Sequence, residues 1–120
     1  MKEQWNREPF GKLTERLWAE RNGVRLGRLT RLHRQLKDIG YEGFRKMIDG
    51  QLTPRPDIME QTAAVLGLDP REYPEYRLYQ IQTLVEQHSD LADSIYLNIM
   101  IQADKRGWVA DGRIVQVDER

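Results

Sequence analysis

Few side chains here are suited to covalent chemistry. The chain has no cysteine and only two histidines, His33 and His88, 55 residues apart in sequence. A thiol nucleophile, thiolate zinc ligation and a disulfide framework are therefore excluded, and the cysteine-free composition fits a reducing, cytoplasmic setting. Neither histidine belongs to an HExxH motif, and no glycine-rich phosphate loop is present. The only serines, Ser89 and Ser94, read as helix capping and helix surface. Asp90, Asp93 and Asp104, near His88, read as a helix start and a solvated face. The expectation is a protein that is not an enzyme and uses neither a metal nor a cofactor.

Charge is what the residues do offer. The formal net charge is zero, with 19 Lys and Arg against 19 Asp and Glu. Its distribution is uneven. Residues 1 to 55 hold 13 Lys and Arg against 7 Asp and Glu, whereas residues 56 to 120 hold 6 against 12. A basic half can present a positive field to phosphates while an acidic half limits nonspecific attachment. Charged residues are 32% and apolar ones 39% of the 120, a globular balance. The longest apolar run, Ala63 to Leu66, is four residues. A membrane helix needs about 20, so no membrane span is expected, and the first residues lack the apolar stretch of a secretory signal.

The elements that must position these charges read as helices as far as Arg106, because apolar residues recur at three and four and Gly or Pro punctuates the intervals. A first helix from Pro9 or Phe10 to Asn22 turns Phe10, Leu13, Leu17 and Trp18 inward, with Gly23 as its stop. A second carries the stripe Leu26, Leu29, Leu32, Leu36 and Ile39, and puts Arg28, Arg31, Arg34 and Lys37 outward. Tyr41 to Asp49 forms a short third helix with Phe44, Met47 and Ile48 inward, ended by Gly50. Two prolines make Gln51 to Pro56 a loop. A fourth helix starts at Pro56, buries Ile58, Met59, Ala63 and Leu66, and stops at Gly67. Asp69 caps a new start at Pro70, and Pro74 restarts the helix toward His88. Tyr73, Tyr76 and Tyr79 read as packing between helices rather than as a nucleobase platform.

Beyond Ser89-Asp90, which reads as a cap, Leu91 to Arg106 is ambiguous. Ile95, Leu97, Ile99 and Ile101 alternate with Tyr96, Asn98, Met100 and Gln102 as a strand would. Sixteen residues without Gly or Pro exceed the usual strand length, so helix is favoured. Trp108-Val109-Ala110, the turn Asp111-Gly112 and Arg113 to Val117 read as a β-hairpin.

The stretch Leu32 to Pro70 resembles the lambda-repressor-like (Cro/repressor, XRE-type) helix-turn-helix family. The resemblance is carried by Leu32, Leu36, Phe44, Met47, Gly50, Pro54, Ala63, Leu66, Gly67 and Leu68, and with the first helix it covers about residues 10 to 73. It implies an all-α fold: a five-helix DNA-binding domain at 1–73, a helical extension at 74–106 and a short hairpin or tail at 107–120. In that family the helix placed at Tyr41 to Asp49 reads base edges. By position, the resemblance turns Tyr41, Glu42, Arg45 and Lys46 toward DNA, with Arg45 or Lys46 donating to guanine and Glu42 accepting from cytosine N4. Gln51, Thr53 and Arg55 of the loop, with Arg28 and Arg31, would lie near phosphates. Glu42 and Lys46 also have the spacing of an i,i+4 ion pair, and Gly43 inside the recognition helix costs about 1 kcal/mol relative to alanine.

The implied function is a transcriptional regulator that binds double-stranded DNA, by default a repressor acting through operator occupancy. The alternative is an antitoxin-like or adaptor module whose C-terminal region binds a protein and whose DNA contact is secondary or lost. Six of the seven residues from Ile95 to Ile101 are apolar. At about 100° per residue they spread wider than a one-sided surface stripe. A homodimer is therefore expected, with Ile95, Leu97, Ile99, Met100 and Ile101 at its interface.

Overall fold

The computed structural model describes residues 4–23 and 28–115, with the side chain of Arg28 outside that description. The chain is mostly helical: α1 (Phe10–Asn22), α2 (Arg28–His33), α3 (Tyr41–Ile48), α4 (Pro56–Leu66), a single 3₁₀ turn (Pro70–Glu72), α5 (Pro74–Gln87) and α6 (Ser89–Lys105). A two-stranded antiparallel hairpin follows, β1 (Val109–Ala110) and β2 (Arg113–Ile114). Contacts divide the chain into two compact units, Met1–Gln80 and Ile81–Arg120.

The N-terminal unit is built around one apolar cluster in which Phe10, Leu32, Phe44, Ile58, Ala63 and Tyr73 are completely shielded from solvent. Each such large side chain contributes about 1.5 to 3 kcal/mol through its buried area. The α1 and α3 backbones approach closely. A Cβ built on Gly11 would lie 1.8 Å from the Ile48 carbonyl oxygen, so only glycine lets these backbones meet. Pro9 supplies no side-chain cap to α1. The Glu75 carboxylate supplies it instead, accepting from the Phe10 N–H at 3.0 and 3.1 Å. At the far end of α4, Gly67 adopts the left-handed conformation and Arg21 donates to the Val65 and Leu66 carbonyls at 2.7 and 3.3 Å. Tyr73 lies edge-on to Phe10, and its hydroxyl pairs with Thr14 Oγ1 at 3.0 Å. Tyr73 is therefore packing, as its place between helices suggests.

The limits of α1, α3 and α4 agree with the sequence reading to within a residue. The second helix is shorter than its stripe implies. It ends at His33, and Leu36 and Ile39 reach the core from the turn that follows. The helix cannot continue, because the hydrogen bonds tighten to Gln35 N–H on Leu32 O and Leu36 N–H on His33 O, after which Asp38 adopts φ 64°. Leu26, the first residue of that stripe, lies outside the described residues.

In the C-terminal unit, Leu91 to Lys105 is helical, which resolves the alternation in favour of helix. The helix begins at Ser89 and His88 occupies the capping position without a side-chain bond, so Ser89 is a first-turn residue and not the cap. The hairpin turns on Asp111 (φ 51°) and Gly112 (φ 76°), the paired left-handed residues of a tight two-residue turn. Val109 faces Ile114 and Ala110 faces Arg113. Val117, the expected end of the second strand, lies outside the described residues. The hairpin is tied to α6 by the Trp108 N–H on Ala103 O at 2.9 Å. Val109 is the one buried residue among those described from Ile81 onward.

Candidate nucleic-acid interface

Two short helices and the turn between them frame the polar face of interest. On α3, Phe44, Met47 and Ile48 are buried. Helical spacing therefore turns Glu42, Arg45, Lys46 and Asp49 to the other side, with Tyr41 at its edge. Tyr41 is 39% exposed and packs edge-on against His33, 5.6 Å between ring centres. The His33 ring in turn meets the Ile39 carbonyl through Nε2 at 2.7 Å, tying the end of α2 to the turn. From the other side, Gln61 of α4 brackets the backbone of Lys37. Its Oε1 accepts from the Lys37 N–H at 2.6 Å and its Nε2 donates to the Lys37 carbonyl at 3.1 Å. The turn is thus fixed by side chains as well as by its own backbone.

The cations of this face fall into two groups. Arg45 is held at both ends: Nη2 donates to Glu42 at 2.8 Å and Nη1 to Asp49 at 2.8 Å. The Arg45 guanidinium holds the Glu42 carboxyl below the usual carboxylate range and is itself shifted upward by it. Glu42 therefore pairs with Arg45, three residues on, and not with Lys46, because the guanidinium fork serves Glu42 and Asp49 together. Arg55 is similarly engaged. It donates to Asp57 at 3.0 and 2.7 Å and to the Asp38 carbonyl at 3.0 Å, and it keeps Asp57 ionised below its ordinary range. Arg31, Arg34 and Lys37 are exposed, Lys46 is half-buried, and these four form no ion pair among the described residues. Arg28 belongs to the same helix as Arg31, but its side chain lies outside the described residues.

Gln51 and Thr53 are exposed in the loop after α3. Both line a groove of about 470 Å³ with Met47, Ile48, Gly11, Lys12 and Leu78. The Gln51 and Leu52 N–H groups both bond the Lys46 carbonyl, at 2.9 and 3.2 Å, which closes α3 and aims the loop.

Sequence reasoning singled out the cations and Glu42, but not the two other carboxylates that hold Arg45 and Arg55. Asp49, four residues after Arg45, and Asp57, two after Arg55, were the available signals. Tyr76 donates to Glu60 at 2.6 Å, which pushes the phenol up to about 12, and its ring lies 5.7 Å from that of Tyr79. Among the described residues no three His, Asp or Glu side chains converge to hold a metal ion. No described helix is long and apolar enough to cross a membrane.

Comparison with protein-family models, with curated proteins and with solved structures gave no match.

Proposed function

We propose that the N-terminal unit is a lambda-repressor-like helix-turn-helix domain that binds double-stranded DNA, and that the protein is a cytoplasmic transcriptional regulator, by default a repressor acting through operator occupancy. The observation that carries this reading is α3. Its apolar side is anchored by Phe44, Met47 and Ile48, its polar side is open, and the adjoining α2 and turn present Arg31, Arg34 and Lys37 without ion-pair partners among the described residues. A short amphipathic helix of this kind is what a major groove admits, and flanking cations fix its register on phosphates.

The proposed roles are redistributed accordingly. Swinging Arg45 onto a guanine would break two charge-assisted bonds and leave Glu42 and Asp49 uncompensated beside phosphates. In this reading Lys46 is therefore the donor to guanine, Glu42 accepts from cytosine N4, and Arg45 positions Glu42. Arg31, Arg34 and Lys37 meet phosphates. Two copies would read half-sites about 34 to 36 Å apart, or a multiple of that spacing.

The test is selection of bound sequences followed by substitution. Lys46→Ala should lose about 1 to 3 kcal/mol at the selected site and relax one base preference, while Arg31→Ala should weaken selected and random duplexes alike. Equal losses on both kinds of DNA for Lys46 and Arg31 would refute the assigned roles.

A second reading has its own support. The charged residues Glu42, Arg45, Lys46 and Asp49 sum to zero, and ten large apolar side chains among the described residues from Ile81 onward are exposed. Both features suit an antitoxin-like or adaptor protein whose C-terminal region binds a protein. Absence of binding to any duplex would favour it.

A further inference from the structure

The turn between α2 and α3 sets how α3 is presented, and within it Asp38 adopts φ 64°, a left-handed conformation uncommon for a residue that carries a side chain. Three side chains bond three successive residues of that turn. Gln61 brackets the Lys37 backbone at 2.6 and 3.1 Å, Arg55 Nη2 donates to the Asp38 carbonyl at 3.0 Å, and His33 Nε2 bonds the Ile39 carbonyl at 2.7 Å. Arg55 is itself anchored twice. Its carbonyl accepts the Ile58 and Met59 N–H groups at the start of α4, at 3.1 and 3.0 Å, and its guanidinium is fixed to Asp57 by parallel bonds of 3.0 and 2.7 Å. Asp57 and Gln61, four residues apart on α4, share a face of that helix. One face of α4 thus shapes the turn that presents α3.

We infer that Arg55 is a positioning residue for sequence discrimination, clamping the turn so that Glu42 and Lys46 meet their bases, and is not the phosphate ligand that its place in the loop implies. The inference rests on the DNA-binding reading above and deepens it. Two observations select this role. Both N–H groups of Nη2 are committed, one to Asp57 and one to the turn. The guanidinium also stands between two carboxylates, bonded to Asp57 and close enough to Asp38 to feel its charge, so the cluster is net negative and offers a phosphate little attraction. The link from clamp to discrimination is geometric. A bond to a base edge tolerates a displacement of only about 0.5 Å in the group that makes it, whereas attraction to phosphates declines gradually with distance. A loosened turn therefore harms base reading first.

Arg55→Gln and Arg55→Lys separate the two roles, because lysine keeps the charge but lacks the planar fork. Affinity is measured on a selected and a random duplex over a series of salt concentrations, and amide exchange is followed without DNA. A clamp predicts that both variants lower the ratio of selected to random affinity by about fivefold to thirtyfold, the contribution of one base contact, and retain the salt slope of the unaltered protein. Exchange should quicken at Lys37, while Met59, whose N–H bonds the Arg55 carbonyl, keeps its rate. A phosphate ligand behaves otherwise. Arg55→Gln would then reduce the slope by about 0.9 and weaken both duplexes alike, and Arg55→Lys would retain binding. That pattern overturns the proposal. So does unchanged exchange at Lys37, or a lowered melting temperature with the affinity ratio intact, which leaves Arg55 only a structural role. An unaltered protein that binds no duplex overturns the DNA-binding reading and the discrimination role with it, whereas binding that keeps its sequence preference in both variants overturns the role of Arg55 alone.

Discussion

Gly11 and Gly43 are both helical glycines, yet the structure gives them opposite meanings. At Gly11 a methyl group would run into the Ile48 backbone at 1.8 Å, and backbone cannot step aside as a side chain can. At Gly43 the nearest atoms to an added Cβ are the Ile39 side chain at 3.7 and 3.9 Å, ordinary contact distances. Gly11→Ala should accordingly cost more than 1 kcal/mol by forcing α1 from α3, whereas Gly43→Ala should gain about 1 kcal/mol from helix propensity alone. Chemical denaturation of the two variants checks the pair, and equal signs would contradict this reading. A third residue gives a pH-dependent prediction. Burial pushes the Tyr73 phenol up to about 12 from an ordinary 10. A raised acid favours its neutral form in the fold, so its contribution is intact below pH 10 and is lost as pH rises through 12. That loss amounts to about 3 kcal/mol. Tyr73→Phe should be less stable at neutral pH, through loss of the Thr14 bond, but should show a shallower alkaline decline. An unchanged alkaline slope would remove Tyr73 from the account.

At the scale of elements, the sequence was most legible where proline and glycine punctuate it. Pro56 and Gly67 mark α4, and Gly23 marks the end of α1, because those residues act on the backbone locally. Contacts distant in sequence left no such trace. Nothing in a single sequence announces that Glu75 caps a helix beginning 65 residues earlier, or that Gln61 closes on Lys37. The cations of the candidate interface were visible, yet their pairing was not, since Glu42 has both Arg45 and Lys46 within one helical turn and only geometry decides between them. The turn between α2 and α3 depends on the least legible of these contacts. Gln61→Ala removes both bonds to the Lys37 backbone and should cost about 1 kcal/mol. It should also speed amide exchange at Lys37 ahead of exchange in the α4 core. Unchanged exchange there would show that the turn holds its shape unaided.

At the scale of the whole molecule, a net charge of zero conceals a basic first half and an acidic second half. Arg45 and Arg55 are engaged by carboxylates, so the electrostatic footprint is narrower than a count of basic residues suggests. Arg31, Arg34, Lys37 and Lys46 remain, and in the proposed reading they meet the groove and its phosphates. The most direct measurement is the affinity for random duplex DNA across a series of salt concentrations. Four neutralised phosphates per subunit predict that log K falls with log salt at a slope near about −3.6 per subunit. Binding that is absent, or that ignores salt, would contradict the central claim.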